Sequence, residues 1–179
     1  MNEDKIVEDY LNAQLSCLGN LREASQIIKN IFEKLISARD NDQTIYIMGN
    51  GGSASTATHF TSDLLKTSII KSKKRFRAHS LSDNIPVVLA WANDDEYNNV
   101  FLGQLENFLK KNDIVIGFSG SGNSENVIKA IEFANNNNAT TISFTGKGGG
   151  NLSKISQINL TIPSDDMLTI ETMHLLICH

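Results

Sequence analysis

Ile114-Val115-Ile116-Gly117-Phe118 runs straight into Ser119-Gly120-Ser121-Gly122-Asn123-Ser124, and a helical pattern follows from about Glu125 to Ala134. A short, continuous apolar run bounded by a Gly/Ser turn reads as a parallel strand buried on both faces. The same order occurs upstream. Thr44-Ile45-Tyr46-Ile47-Met48 is a strand that ends in Gly49-Asn50-Gly51-Gly52-Ser53, and a helix is expected from about Ala54 to Lys66. Arg77 to Leu81 is a weaker strand, and residues 86–92 and 98–109 have helical patterns. Thr140 to Phe144 and Asn159 to Ile162 complete the strands, with Gly146-Lys147-Gly148-Gly149-Gly150 between them, and a last helix begins near Met167. Strands alternating with helices imply βαβ units, and right-handed crossovers place helices on both faces of the sheet. The expected fold is α/β, a doubly wound five-stranded parallel sheet.

Two helices, near residues 4–20 and 22–38, precede the first strand. In the second, Ile27, Ile28, Ile31, Phe32, Leu35 and Ile36 form one apolar stripe. That stripe covers either the chain's own sheet or a partner chain. Asn135-Asn136-Asn137-Asn138 reads as a helix end and turn.

The 179 residues fit one domain, long enough to bury a core without disulfides. A net charge of −4 argues against a broad nucleic-acid surface. The one basic cluster, Lys71-Ser72-Lys73-Lys74-Arg75-Phe76-Arg77, reads as a solvated loop. Cys17 and Cys178 are far apart and suit a reducing cytoplasm. Met1-Asn2-Glu3-Asp4-Lys5 is polar and acidic, without the pattern of a signal peptide, and no apolar run is long enough to cross a membrane.

Ligands of such sheets bind beyond the carboxyl ends of the strands, where both Gly/Ser loops fall. Exposed N–H groups and the positive end of a helix favour an anion there, and Ser119, Ser121 and Ser124 add hydroxyl donors. Serines and glycines also make caps and turns with no ligand, but two such loops at equivalent positions favour a phosphorylated ligand. Gly49-x-Gly51-x-x-Ala54 nominally fits a dinucleotide fingerprint, yet a second serine loop is superfluous for a pyrophosphate. No Gly-Lys-Ser/Thr nucleotide loop is present. A small sugar phosphate fits best.

His59 and Asp63, four residues apart, share a helix face and suit a metal or proton transfer. The structural alternative is a histidine satisfied by its neighbour. On the last helix, Glu171 and His179 are about 80° apart and ~12 Å along the axis. That separation is too long for both to grip one ion, so a site containing both would draw them from different subunits. His174 faces elsewhere and reads as structural. Asn93-Asp94 suits sugar hydroxyls or an Asx turn closing a helix.

Gly49-Asn50-Gly51-Gly52-Ser53-Ala54, His59-Phe60, Ala92-Asn93-Asp94, Ser119-Gly120-Ser121-Gly122-Asn123-Ser124 with Asn126-Val127, Thr145-Gly146-Lys147-Gly148-Gly149 and Pro163-Ser164-Asp165-Asp166 follow in this order. The chain resembles the phosphoheptose isomerases of the sugar-isomerase (SIS) domain superfamily, over nearly its whole length. The resemblance implies one flavodoxin-like SIS domain over residues 1–179, with the helices of residues 1–42 packing on the domain and on a partner subunit. It also implies a cytoplasmic homotetramer with active sites between subunits. The implied reaction converts sedoheptulose 7-phosphate to D-glycero-D-manno-heptose 7-phosphate for surface polysaccharide, with Asp63 and His179 as base and acid. Implied substrate contacts are Asn50, Gly51, Gly52, Ser53, Asp63, Asn93, Asp94, Ser119, Gly120, Ser121, Ser124 and Glu171. Implied ligands of one zinc ion are His59, Asp63, Glu171 and His179. The chain departs from the family pattern at Asp63 (usually Glu), Glu171 (usually Gln), and Thr67 and Thr169 (usually Arg). Family members also continue past the position of His179, which implies a last helix cut short. The second reading is a non-catalytic sugar-phosphate-binding adaptor for a protein partner.

Overall fold

A computed structural model describes residues 3–179; Met1 and Asn2, the start of the polar amino-terminal stretch, lie outside it. The elements follow in chain order: α1 Glu3–Leu21, α2 Ser25–Asp40, β1 Thr44–Gly49, α3 Gly52–Ser62, β2 Arg77–Ser80, α4 Ile85–Asp94, α5 Leu102–Phe108, β3 Ile114–Ser119, α6 Glu125–Asn136, β4 Thr140–Thr145, α7 Leu152–Ile155, β5 Ile158–Thr161 and α8 Met167–Cys178. The strands form one sheet in the order β2-β1-β3-β4-β5, and every pairing is parallel. The expected doubly wound sheet is therefore present.

Its core follows from the two-residue period of a strand. Ile45 and Ile47 of β1, with Ile114, Ile116 and Phe118 of β3, face α2 and α3, where Ile31, Leu35, Ala57 and Phe60 close over them. Tyr46, Met48 and Val115 face the other way, against Val100, Leu105, Val127 and Ile131. Because both faces are covered, β1 and β3 are buried at every position. A third cluster joins Cys17 and Leu21 of α1 to Ile170 and Met173 of α8.

Three boundaries differ from expectation, each for a local reason. The helix expected at 98–109 is a short 3₁₀ turn, Tyr97–Asn99, followed by α5. Gln104 Nε2 donates to the carbonyls of Val100 (2.7 Å) and Leu81 (3.0 Å) and ties the junction to the loop after β2. α4 runs on through Asn93 and Asp94, which were expected to follow it. α3 ends at Ser62 and continues as one wide turn over Asp63–Thr67, closed by Ser68 N–H donating to Asp63 C=O at 2.9 Å. Such π-type turns often mark functional positions, and this one carries Asp63.

The stripe on α2 is divided. Ile31 and Leu35 are buried in the core, whereas Phe32 and Ile27 are exposed. On α1, Ile6, Val7, Tyr10, Leu11, Leu15 and Leu18 are exposed as well. Of the basic cluster 71–77, expected as a solvated loop, residues 71–75 are exposed and Lys74 pairs with Asp42, whereas Phe76 is buried in the core and Arg77 begins β2. Both cysteines are free. No helix among the described residues is long and apolar enough to cross a membrane.

Candidate active site

β1 is followed by β2 on one side and by β3 on the other, so the order reverses between β1 and β3. The crevice at such a reversal is where open α/β sheets bind ligands. Both Gly/Ser loops open there, after Gly49 and after Ser119.

In the second loop, Ser119 is 3% exposed and its Oγ lies 2.9 Å from Ser124 Oγ and 3.4 Å from Ser121 Oγ. Three hydroxyls thus converge. Ser124 occupies the N-cap position of α6, yet its side chain makes no capping bond. The first N–H groups of α6 are left without a side-chain cap, the arrangement that suits a bound anion. Gly122 has φ +67°, and a Cβ there would run into the backbone of Gly149 and Gly150. The serine loop therefore lies backbone to backbone on the glycine loop after β4, with Leu152 N–H donating to Gly122 C=O at 3.0 Å. Gly120 C=O accepts from Gly146 N–H at 2.9 Å.

The first loop is built differently. Gly51, φ +54°, turns the chain into α3, and Ser53 is buried one residue beyond Gly52. A Cβ on Gly52 would collide with the Glu171 carboxylate. An internal carboxylate therefore sits against the positive end of α3, a favourable place for it. The two helix ends therefore differ in charge: the second has no internal carboxylate against it in the contacts of its loop glycines.

α3 and α8 pack side by side, with Glu171 against Gly52 at one end. At the other end, two turns along α8, His179 Nδ1 lies 2.9 Å from Asp63 Oδ2, and His59 Nε2 lies 3.7 Å from the same oxygen. The two imidazoles meet edge to face with ring centres 4.8 Å apart. His59, Asp63 and His179 thus converge within one chain, all three donor atoms within 4.8 Å of one another. Glu171 and His179 were expected to share a site only if different subunits supplied them, and within this chain they lie apart. Glu171 of the same chain lies outside the cluster, as its ~12 Å offset along α8 requires. Asp63 Oδ1 accepts from Thr67 Oγ1 at 3.0 Å. Asp63 Oδ2 is buried and makes no well-aligned hydrogen bond. A buried carboxylate oxygen without a hydrogen, beside two ring nitrogens, fits a cation, and two His with one Asp is a donor set that zinc accepts. Burial and the nearby Asp63 charge push the Cys178 thiol up from its ordinary range.

His174 is fully buried between Phe118 and Phe144, with Nε2 3.3 Å from Thr145 C=O, and is structural as expected. Burial lowers its pKa to about 4. The unfolded chain therefore takes up a proton here between pH 6.5 and 4 that the folded chain refuses. Stability is complete above pH 6.5 and falls as pH drops toward 4, by about 2 kcal/mol at pH 5. Urea unfolding at pH 7 and pH 5 is expected to show this loss in the parent and a smaller one in His174→Gln. Equal losses would remove His174 as the cause.

Asn93 and Asp94 are exposed and bonded to each other at 2.7 Å, at the end of α4 rather than in a turn after it. Two residues that sequence reasoning assigned no role also reach the site. Asn126 and Tyr97 both bond to Asn50. The Asn126-Val127 pair stands beside the serine motif, so its position was visible, but no periodicity reveals a partner 76 residues away.

Residues 9–146 match the SIS domain family. The chain is 37% identical to the phosphoheptose isomerase of Helicobacter pylori strain P12 over 179 residues, all of this chain and 93% of that one. The chain belongs to the phosphoheptose isomerase family of SIS domain proteins. A solved phosphoheptose isomerase from Francisella tularensis superposes with a TM-score of 0.94 at 27% identity, covering all of this chain and 95% of that one. The phosphoheptose isomerase of Neisseria gonorrhoeae gives 0.92 at 25% identity, covering 98% and 94%. With these relatives, the chain is an isomerase of the sugar-phosphate class. The resemblance drawn from the motifs is borne out, as is the fold.

Proposed function

We propose that this phosphoheptose isomerase family member interconverts sedoheptulose 7-phosphate and D-glycero-D-manno-heptose 7-phosphate, supplying heptose for surface polysaccharide from the cytoplasm. The observation that carries this reading is an uncapped helix end with three converging serines at the carboxyl edge of the sheet, in a chain that also holds a carboxylate–imidazole pair at the far end of α3. The serine loop holds the phosphate. Asp63 removes a proton from the carbon beside the carbonyl, and His179 passes a proton to or from the oxygen, through an enediol. Thr67 fixes one carboxylate oxygen, so the other keeps its aim at His179. Gly51, Gly52, Ser53 and Asn50 line the wall opposite the serine loop, and Glu171 adds a fixed negative charge there. This charge discourages a phosphate from entering the first loop and so orients the sugar.

His59, Asp63 and His179 would hold a zinc ion, which when bound acts as a Lewis acid toward the carbonyl. Metal content after dialysis against zinc is expected to fall to less than about a tenth in His59→Ala, since two ligands hold zinc far more weakly than three. Elemental analysis that finds equal zinc in parent and variant would remove the site. The exposed apolar residues of α1, Ile6 to Leu18, support a homotetramer with these helices at the interface. The function is tested by a coupled assay with a panel of ketose phosphates, with and without zinc. Turnover of sedoheptulose 7-phosphate above the others is the expected result, and no turnover of any of them would leave the adaptor reading.

A further inference from the structure

Asn50 follows the last residue of β1, Asn126 lies in the first turn of α6, and Tyr97 belongs to the 3₁₀ turn after α4. Their side chains form one closed set of bonds. Asn126 Nδ2 donates to Asn50 Oδ1 and Asn50 Nδ2 donates to Asn126 Oδ1, both at 2.9 Å. Tyr97 hydroxyl donates to the same Asn50 Oδ1 at 2.8 Å. Asn126 is 2% exposed, so its amide finds its satisfaction in Asn50.

A primary amide has two N–H donors and two acceptor positions on its oxygen. At Asn50 both acceptor positions are filled and one N–H is used. A single N–H is left to give. We propose that Asn126 and Tyr97 are positioning residues that make Asn50 a fixed, donor-only contact for an oxygen of the sugar phosphate. The reading rests on the isomerase assignment for its ligand, but not on the catalytic roles of Asp63 and His179.

The two partners have separate tasks. Asn126 ties the first loop to the helix that begins at the serine loop, so both walls of the crevice move as one body. Tyr97 breaks a symmetry. Two facing amides can turn over together and restore their mutual bonds, leaving Asn50 an acceptor instead of a donor. A phenol hydroxyl is a better donor than acceptor, because its lone pair is delocalised into the ring, so it selects the state in which Asn50 presents oxygen to it. The remaining N–H then has one direction and one sign.

Tyr97 is half exposed, and Tyr97→Phe removes one atom. The variant is expected to fold as the parent does, checked by its melting temperature. Its affinity for sedoheptulose 7-phosphate, by calorimetry, is expected to fall about fivefold, the scale of one neutral hydrogen bond held in place. In steady state KM rises by the same factor while kcat stays nearly constant, the pattern of a contact made equally in ground and transition states. The decisive arm uses an Asn50→Ala background. If Tyr97 acts through Asn50, Tyr97→Phe changes nothing further there. An equal loss in both backgrounds, or no loss in the parent, would overturn the proposal. The affinities decide the positioning role and turnover of the parent decides the isomerase reading, so the two failures are separate.

Discussion

Asp63→Asn is expected to lower isomerase turnover by about a hundredfold to ten-thousandfold, the range a positioned general base contributes, while affinity for the sugar phosphate stays within a few-fold. An amide keeps the shape and the Thr67 contact but cannot accept the proton. The carboxylate is held by Thr67 Oγ1 at 3.0 Å and lies 2.9 Å from His179 Nδ1, so its orientation is fixed beside the proposed acid. Phosphate affinity is expected to reside in the serine loop, which Asp63 does not touch. Asp63→Glu keeps an ionisable group and is expected to retain measurable turnover. The measurement is kcat against calorimetric affinity for all three proteins. A parent that isomerises and an Asp63→Asn variant that matches its rate would move the base to another residue, with His59 the nearest.

Residues 114–124 carried most of the fold, because a buried parallel strand needs an unbroken apolar run and a Gly/Ser turn needs no tertiary context. β1 with its glycine loop, α6 and α8 were legible on the same grounds. The break between Tyr97–Asn99 and α5 was not, since it depends on Gln104 reaching Leu81 and Val100, contacts that leave no periodic trace. His59, Asp63 and His179 were each named from the sequence, yet their meeting in one chain was not foreseen. The spacing of Glu171 and His179 along α8 was read correctly as ~12 Å. What the spacing cannot give is the packing of α8 beside α3, which sets Glu171 over the start of one helix and His179 over its end. One interval on a single helix therefore reaches both ends of α3. For the same reason Asn126 and Tyr97 were missed, because a hydrogen bond between distant positions is a property of the packed sheet edge alone.

The other large effect belongs to Ser119 and Ser121. Replacing both with alanine is expected to weaken sugar-phosphate binding by about 3 kcal/mol or more, roughly a hundredfold, since bonds to a charged partner are worth about 1.5–3 kcal/mol each. The two serines act differently. Ser121 offers its hydroxyl at the mouth of the loop and accepts from Asn123 N–H at 3.1 Å. Ser119 is buried, and its hydroxyl meets Ser124 at 2.9 Å, so its loss also releases Ser124 to turn and cap α6. A capped helix end competes with the phosphate for the same N–H groups. The single Ser119→Ala variant should therefore lose affinity by more than its own hydrogen bond, and adding Ser124→Ala to it should cost less than Ser124→Ala costs alone. Inorganic phosphate should compete with the sugar phosphate in the parent and scarcely in the double variant. kcat at saturating substrate should fall far less than KM rises, because Asp63 and His179 remain in place. Calorimetry that finds unchanged affinity in the double variant would put the phosphate elsewhere. The first loop would then have to accept it against the Glu171 carboxylate, and Glu171→Gln would strengthen binding there.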